Sequence, residues 1–205
     1  SGYAKMDHFQ EKREYAQKEI RDIWGMHGDA DVKGRKRLII APHHSIETSA
    51  GVEFSTFTRN AYFWLYLAKK YQDKITFIFK PHPNLRLKTV WAHFFKTFAD
   101  YDAYLEEWDR LPNARVSEEE SYLDIFATSD GMIMDSGSFL GEYMYVNKPL
   151  LFLTREEQAF NSLGEKCVSA YYKAKGEDFL AIEQFVEDVI LRGEDTMKEN
   201  RTRVF

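Results

Sequence analysis

From Arg37 onward, short apolar runs alternate with longer stretches of helical periodicity. The runs are Leu38–Ala41, Ile75–Phe79, Ala114–Val116, Met132–Met134 and Leu150–Leu153, with Ala114–Val116 the weakest. Helical stretches fall between them at Arg59–Tyr71, Lys88–Glu107, Glu119–Thr128 and Phe139–Val146, and two more, Asp178–Leu191 and Thr196–Arg203, close the chain. Strands buried on both faces read as continuous apolar runs, and crossovers of this length force parallel pairing. The pattern predicts an α/β fold: a Rossmann-like, doubly wound parallel sheet of about five strands over residues 37–205. Upstream, residues 7–24 read as a charged helix with Asp7 as N-cap and His8 on its solvated face. Met26–Lys36, rich in Gly, Asp and Lys, reads as a linker that leaves His27 exposed.

Composition narrows the function classes. The 205 residues are 44% hydrophobic and 30% charged, a globular balance with enough apolar material for a sizeable core. The net charge of -5 disfavours a protein that neutralises many nucleic-acid phosphates, so no nucleic-acid partner is expected. The one cysteine, Cys167, cannot form a disulfide within the chain, and its default is a buried small hydrophobe in a reducing cytosol. No run approaches the roughly 20 apolar residues of a membrane span, and no signal peptide opens the chain. The start Ser1-Gly2-Tyr3 is read as a cut into a longer protein.

In a doubly wound sheet, ligands bind beyond the carboxyl ends of the strands, and three of these ends carry candidate chemistry. The first runs into Pro42-His43-His44-Ser45, the second into Lys80-Pro81-His82-Pro83-Asn84-Leu85-Arg86, the fourth into Asp135-Ser136-Gly137-Ser138. Ser136, Gly137 and Ser138 precede a helix, where free N–H groups, hydroxyls and a close-approaching glycine make a phosphate cradle; a bare N-cap at Ser138 would explain one serine only. This is neither a Walker A loop nor a dinucleotide fingerprint. Lys80, His82 and Arg86 offer cations and an imidazole to a pyrophosphate, although the two prolines alone equally describe a shaped loop. Adjacent side chains on an extended segment point opposite ways, so of His43 and His44 one is expected to face the site; a metal site formed with His82 and Asp135 is the lesser alternative. Asp135 is read as structural support, bonded to loop N–H groups or paired with a histidine; pairing with His82 would keep that ring protonated. His93 is expected to pack mid-helix, Phe63, Trp64 and Tyr66 to be core, and Glu118-Glu119-Glu120 to be an acidic first turn.

The three strand ends together resemble the C-terminal, nucleotide-binding half of GT-B glycosyltransferases, and most of all the CDP-glycerol glycerophosphotransferases that build teichoic acids and capsules. The matching stretches are LIIAPHHS at 38–45, FIFKPHPNLR at 77–86 and YLDIFATSDGMIMDSGSFLGEYMYVNKPLLFL at 122–153. The resemblance implies a transferase that binds a nucleotide-diphosphate donor and needs no cofactor or metal. His82, Arg86, Ser136 and Ser138 would hold the diphosphate. The base would meet backbone near Val116, and Glu142 would approach the ribose or the transferred group. His44 and His82 stand as catalytic candidates. A polysaccharide or lipid-linked acceptor would bind a separate N-terminal half, in a cytoplasmic protein that can associate with the inner face of the membrane. The sequence departs from the family at two places: Asp-Ser-Gly-Ser stands for the usual Asp-Tyr-Ser-Ser, and His43-His44-Ser45 for Thr-Trp-Arg. The donor is therefore left open among CDP-glycerol, CDP-ribitol and a nucleotide sugar. Two other classes remain: an epimerase-like nucleotide-sugar domain, and a degenerate half that serves as an interaction module.

Overall fold

The computed structural model describes residues 20, 23–25, 34–47, 53–117, 122–156 and 158–204. The predicted helix over 7–24 lies outside these residues except for Ile20, Ile23 and Trp24, and His8, His27 and Glu118–Glu120 lie outside them altogether. In chain order the elements are β1 (Lys36–Ala41), α1 (Phe57–Lys70), β2 (Ile75–Phe79), α2 (Leu85–Trp91), α3 (Phe98–Asp109), β3 (Ala114–Val116) and α4 (Leu123–Thr128). There follow β4 (Gly131–Met134), α5 (Gly137–Met144), β5 (Leu150–Thr154), α6 (Ser162–Ser169) and β6 (Tyr172–Lys175). Last come α7 (Phe179–Gln184), which runs on as a π-helix over Phe185–Leu191, and α8 (Lys198–Val204).

All six strands pair in parallel in the order β3-β2-β1-β4-β5-β6. The expected sheet is present with one strand more than the pattern predicts. The additional strand, β6, reads Tyr-Lys-Ala-Lys, and of its four residues only Ala174 is buried. An edge strand faces the core on one side only and is defended by lysines, so it shows no apolar run. The buried stretches of the inner strands are almost wholly apolar because each alternates between two cores. Leu38 and Ile40 of β1, Ile133 of β4 and Leu151 and Leu153 of β5 meet α1 and the helix over 179–191. Ile39, Met132, Met134, Leu150 and Phe152 meet α4, α5 and α6 on the other face. Trp24 is fully buried in this second core and donates from its indole to Thr128 Oγ1 at 2.7 Å.

The single helix predicted over Lys88–Glu107 is two. His93 adopts a left-handed φ of 56° and is exposed, so it does not pack mid-helix. The chain restarts at a capping box in which Thr97 accepts from the Asp100 N–H and the Asp100 carboxylate accepts from the Thr97 N–H. Of Phe63, Trp64 and Tyr66 on α1, expected to be core, only Trp64 is. Phe63 is half-buried and stacks on Phe179 with ring centroids 4.2 Å apart, while Tyr66 is exposed. Cys167 is buried, as expected, and burial raises its thiol pKa.

Candidate functional site

The strand order reverses between β1 and β4, because the chain builds β1, β2 and β3 outward on one side and then returns to β1's other edge. The crevice beyond these carboxyl ends is the switch point at which doubly wound folds bind ligands. Here it is a cavity of about 570 Å³ whose lining includes His43, Lys80, His82, Arg86, Ser136 and Ser138. The parallel register brings these together. Ala41 is paired with Met134, so His43 and Asp135 follow on neighbouring strands. Pairing also continues past the end of β2: Lys80 N–H donates to Ile40 O at 2.8 Å and His82 N–H to Pro42 O at 3.2 Å.

Asp135 is buried and turned away from the cavity. Its Oδ1 accepts from the His43 N–H at 2.6 Å, and its Oδ2 accepts from the Thr56 N–H at 2.5 Å and the Thr56 hydroxyl at 2.9 Å. Of the two arrangements expected for Asp135, the structure has the bond to loop N–H groups. Burial raises its pKa to about 6 against the pull of those hydrogen bonds. Thr56 was not singled out from the sequence. It is the far anchor of this strut, and Gly176 packs so closely that a Cβ there would lie 2.6 Å from Thr56 Cγ2.

The three imidazoles stand together, contrary to the expected opposition of His43 and His44. Ring centroids are 4.3 Å apart for His43–His44, 3.9 Å for His44–His82 and 5.4 Å for His43–His82. His43 and His82 line the cavity, whereas His44 does not and stacks behind His82. Burial, then His44 and His82, lower the pKa of His43 to about 4. Burial, then His82 and Lys88, lower that of His44; burial, then Lys80, lower that of His82. A protonated His82 held by Asp135 is therefore not what the fold provides. Their ligand nitrogens lie within 4.8 Å of one another, close enough to raise the question of a metal. His44 Nδ1 is buried without a hydrogen-bond partner among the described residues, whereas the hydrogen bonds of the other two rings do not fit an ion. His82 Nδ1 accepts from the Asn84 N–H at 3.1 Å and His43 Nδ1 accepts from the Ser45 N–H at 3.3 Å. In neutral His43 and His82 the proton then sits on Nε2, which leaves no second lone pair for an ion on these two rings.

At the fourth strand end Ser136 is the N-cap of α5, yet its side chain makes no cap bond and meets Ser138 Oγ at 3.0 Å. A plain N-cap would have spent the hydroxyl on the helix N–H groups. Gly137 begins α5 between the two serines, and a Cβ there would meet only the Phe54 ring, at 3.9 Å. Its lack of a side chain is thus not demanded by packing. Lys80 is buried, with Nζ 5.6 Å from the Tyr122 ring centroid. Arg86 lines the cavity but is engaged elsewhere: Nε donates to Asp102 Oδ1 and Nη2 to Asp102 Oδ2, both at 2.7 Å, and the guanidinium lies over Phe98. The break between α2 and α3 that places Asp102 there was not legible in the pattern.

The two residues expected at the base and ribose stand apart from this cavity. The Val116 N–H donates to Asp109 Oδ1 at 2.9 Å, so only the carbonyl of that backbone unit remains. Glu142 accepts from the Tyr122 hydroxyl and lines an adjoining cavity of about 480 Å³ that shares Ser138 with the first. Tyr122, Tyr101 and Phe139, unremarked in the sequence, add aromatic walls. Among the described residues no helix is long and apolar enough to cross a membrane.

A sequence profile of the CDP-glycerol:poly(glycerophosphate) glycerophosphotransferases matches residues 1–174. The chain belongs to this family. No curated relative matches it. Solved structures share its fold. A variant of the wall teichoic acid polymerase TagF is 16% identical, with a TM-score of 0.61 over 100% of this chain and 46% of that one. The UDP-GlcNAc 2-epimerase of Neisseria meningitidis, bound to UDP-GlcNAc, is 20% identical, with a TM-score of 0.55 over 94% of this chain and 46% of that one. A UDP-forming α,α-trehalose-phosphate synthase from Burkholderia vietnamiensis is 12% identical, with a TM-score of 0.59 over 98% and 45%. The chain spans just under half the length of these structures, and its fold is the Rossmann-like domain of GT-B glycosyltransferases.

Proposed function

We propose that this glycerophosphotransferase-family domain binds the nucleotide-diphosphate donor of a glycerol phosphate transfer, with the diphosphate against His43, Lys80, His82, Ser136 and Ser138. One observation carries the reading: the polar groups of the cavity wall are donors. Two imidazoles hold Nε2–H, the hydrogen-bonded pair of serines offers a hydroxyl proton and Lys80 an ammonium, while the adjacent carboxylate, Asp135, has both oxygens occupied on the far side. A wall rich in donors suits the phosphate oxygens of the diphosphate that CDP-linked alditols and nucleotide sugars share. Family membership favours CDP-glycerol among them.

In this reading an acceptor hydroxyl attacks the β-phosphorus of the CDP-linked donor and gives its proton to a base on the acceptor side, the bond to the bridging oxygen breaks, and CMP leaves with the added negative charge. Fixed donors at the α-phosphate stabilise that charge without reorganising. The acceptor is a polysaccharide or lipid-linked chain held by a second half of the full protein, at the cytoplasmic face of the membrane. Isothermal calorimetry with CDP-glycerol, CDP, UDP-GlcNAc and cytidine tests the proposal. Binding of the CDP compounds well above cytidine and UDP-GlcNAc is expected. Equal binding of cytidine and CDP removes the diphosphate from the site, and preference for UDP-GlcNAc replaces the donor class.

A further inference from the structure

We infer that Ser45 is a positioning residue that fixes His43 as a neutral imidazole with its proton on Nε2, so that the ring donates a hydrogen bond to an anion in the cavity. The inference rests on the donor-site reading for its ligand and on geometry alone for the tautomer. Ser45 is buried, and its hydroxyl has one proton and two lone pairs. The Phe54 N–H donates to Ser45 Oγ at 3.0 Å and takes one lone pair. His43 Nδ1 lies 2.8 Å from the same Oγ and is the acceptor left for the hydroxyl proton. The Ser45 N–H converges on that nitrogen as well, at 3.3 Å. With two donors against Nδ1, a proton there would face both, so the neutral ring carries it on Nε2. Nε2 has no hydrogen-bond partner among the described residues, and His43 lines the cavity.

The charged and titratable groups around the ring keep it neutral. His44 lies beside it on the same loop, His82 faces it from the loop after β2 and carries Lys80 two residues behind, and Lys88 of α2 acts on His44. Asp135, from the end of β4, is spent on the His43 backbone N–H and not on its ring. A neutral imidazole held as an N–H donor polarises a phosphate oxygen without having to lose or gain a proton, and it does so across the pH range in which a free histidine would titrate.

Long-range ¹⁵N–¹H correlation spectra of the histidine-labelled chain read the tautomer directly, with His43→Asn assigning the signals. The expected spectrum has His43 Nε2 protonated and Nδ1 bare from about pH 5 to about pH 8. In Ser45→Ala the ring should become a mixture of tautomers and bind inorganic pyrophosphate about tenfold more weakly. Ser45→Thr, which keeps the hydroxyl, should restore both. A wild-type ring protonated on Nδ1, or titrating near the ordinary histidine value, overturns the inference. So does a Ser45→Ala protein with unchanged tautomer and unchanged pyrophosphate affinity. If the wild type binds neither pyrophosphate nor CDP, the donor-site reading falls by titration. The ligand-free spectrum then still decides whether Ser45 sets the ring.

Discussion

Replacing Asp135 by Asn separates the electrostatic from the geometric role of the strut behind the cavity. The carboxyl is buried, and burial raises its pKa to about 6. In the unfolded chain it returns to about 3.9, so the folded state holds the proton more tightly. The group's contribution is therefore fully present below about pH 4 and is lost as pH rises through about 6, where folding must keep a charge in the interior. A difference of about two pKa units corresponds to an upper limit of about 3 kcal/mol lost across that window. Asn cannot ionise. Its carboxamide also turns an NH₂ toward one of the three groups that donate to Asp135, which costs about 1–3 kcal/mol, but that term does not change with pH. The measurement is urea unfolding of wild type and Asp135→Asn at steps from about pH 4 to about pH 7. Asp135→Asn should gain on wild type by up to about 3 kcal/mol as pH rises. His43, whose pKa is depressed, makes both proteins lose stability as pH falls, and this cancels in the difference. Stability curves that stay parallel across the window would refute the buried-charge argument. Donor affinity should fall in the variant because the His43 backbone loses an ionised anchor.

Other consequences follow from the same contacts. Lys80→Met should weaken CDP binding about tenfold or more in calorimetry while leaving cytidine binding unchanged, since a charge-assisted bond is removed. Arg86→Ala should weaken CDP binding only a few-fold, because the guanidinium is already held by Asp102; a loss of about tenfold or more would mean that Arg86 leaves Asp102 for the ligand. Gly176→Ala should destabilise the chain by about 1–3 kcal/mol and weaken CDP binding together, because the new Cβ pushes Thr56 off Asp135; thermal unfolding and calorimetry on one sample check both. Gly137→Ala should unfold at the wild-type temperature, its Cβ finding ordinary contact with Phe54.

The fold was legible where one physical cause wrote the pattern. Ile75–Phe79 stands out because an inner strand buried along its whole length is mostly apolar, whereas Ala114–Val116, an edge strand with Arg115 at its centre, keeps only its two flanking apolar residues as a signal. The hidden elements obey different rules. β6 is an edge and shows its lysines, and the short α6 is mostly exposed. The turn at His93 is set by a left-handed backbone and a capping box, which leave helical periodicity intact on both sides. The site was legible as a set of strand ends because the switch point gathers them whatever their side chains. What each side chain does there was not legible. Adjacent histidines alternate on a regular strand, but His43 and His44 lie past the end of β1, where the backbone no longer alternates. Arg86 reaches the cavity, yet its partner comes from a helix whose start was misread.

The histidine cluster also decides what kind of electrostatics the cavity can have. Two unit charges about 4 Å apart repel by about 4 kcal/mol at an effective dielectric of about 20. The His44 and His82 rings are 3.9 Å apart, with His43 at 4.3 and 5.4 Å from them. Charging all three would oppose folding, and the pKa of each ring is depressed, first by burial and then by neighbouring groups: His44 and His82 for His43, His82 and Lys88 for His44, and Lys80 for His82. Attraction to a diphosphate therefore falls on Lys80 and on the partly neutralised Arg86, while the imidazoles and serines supply direction. Direction is screened by salt far less than net charge is. CDP affinity at neutral pH should consequently fall only a few-fold when ionic strength rises from about 0.05 to about 0.5 M. Titration calorimetry across that range checks it, with Lys80→Met expected to flatten the dependence further. A loss of a hundredfold or more would mean that the histidines carry charge in the complex, and the neutral-donor account of the site would fail.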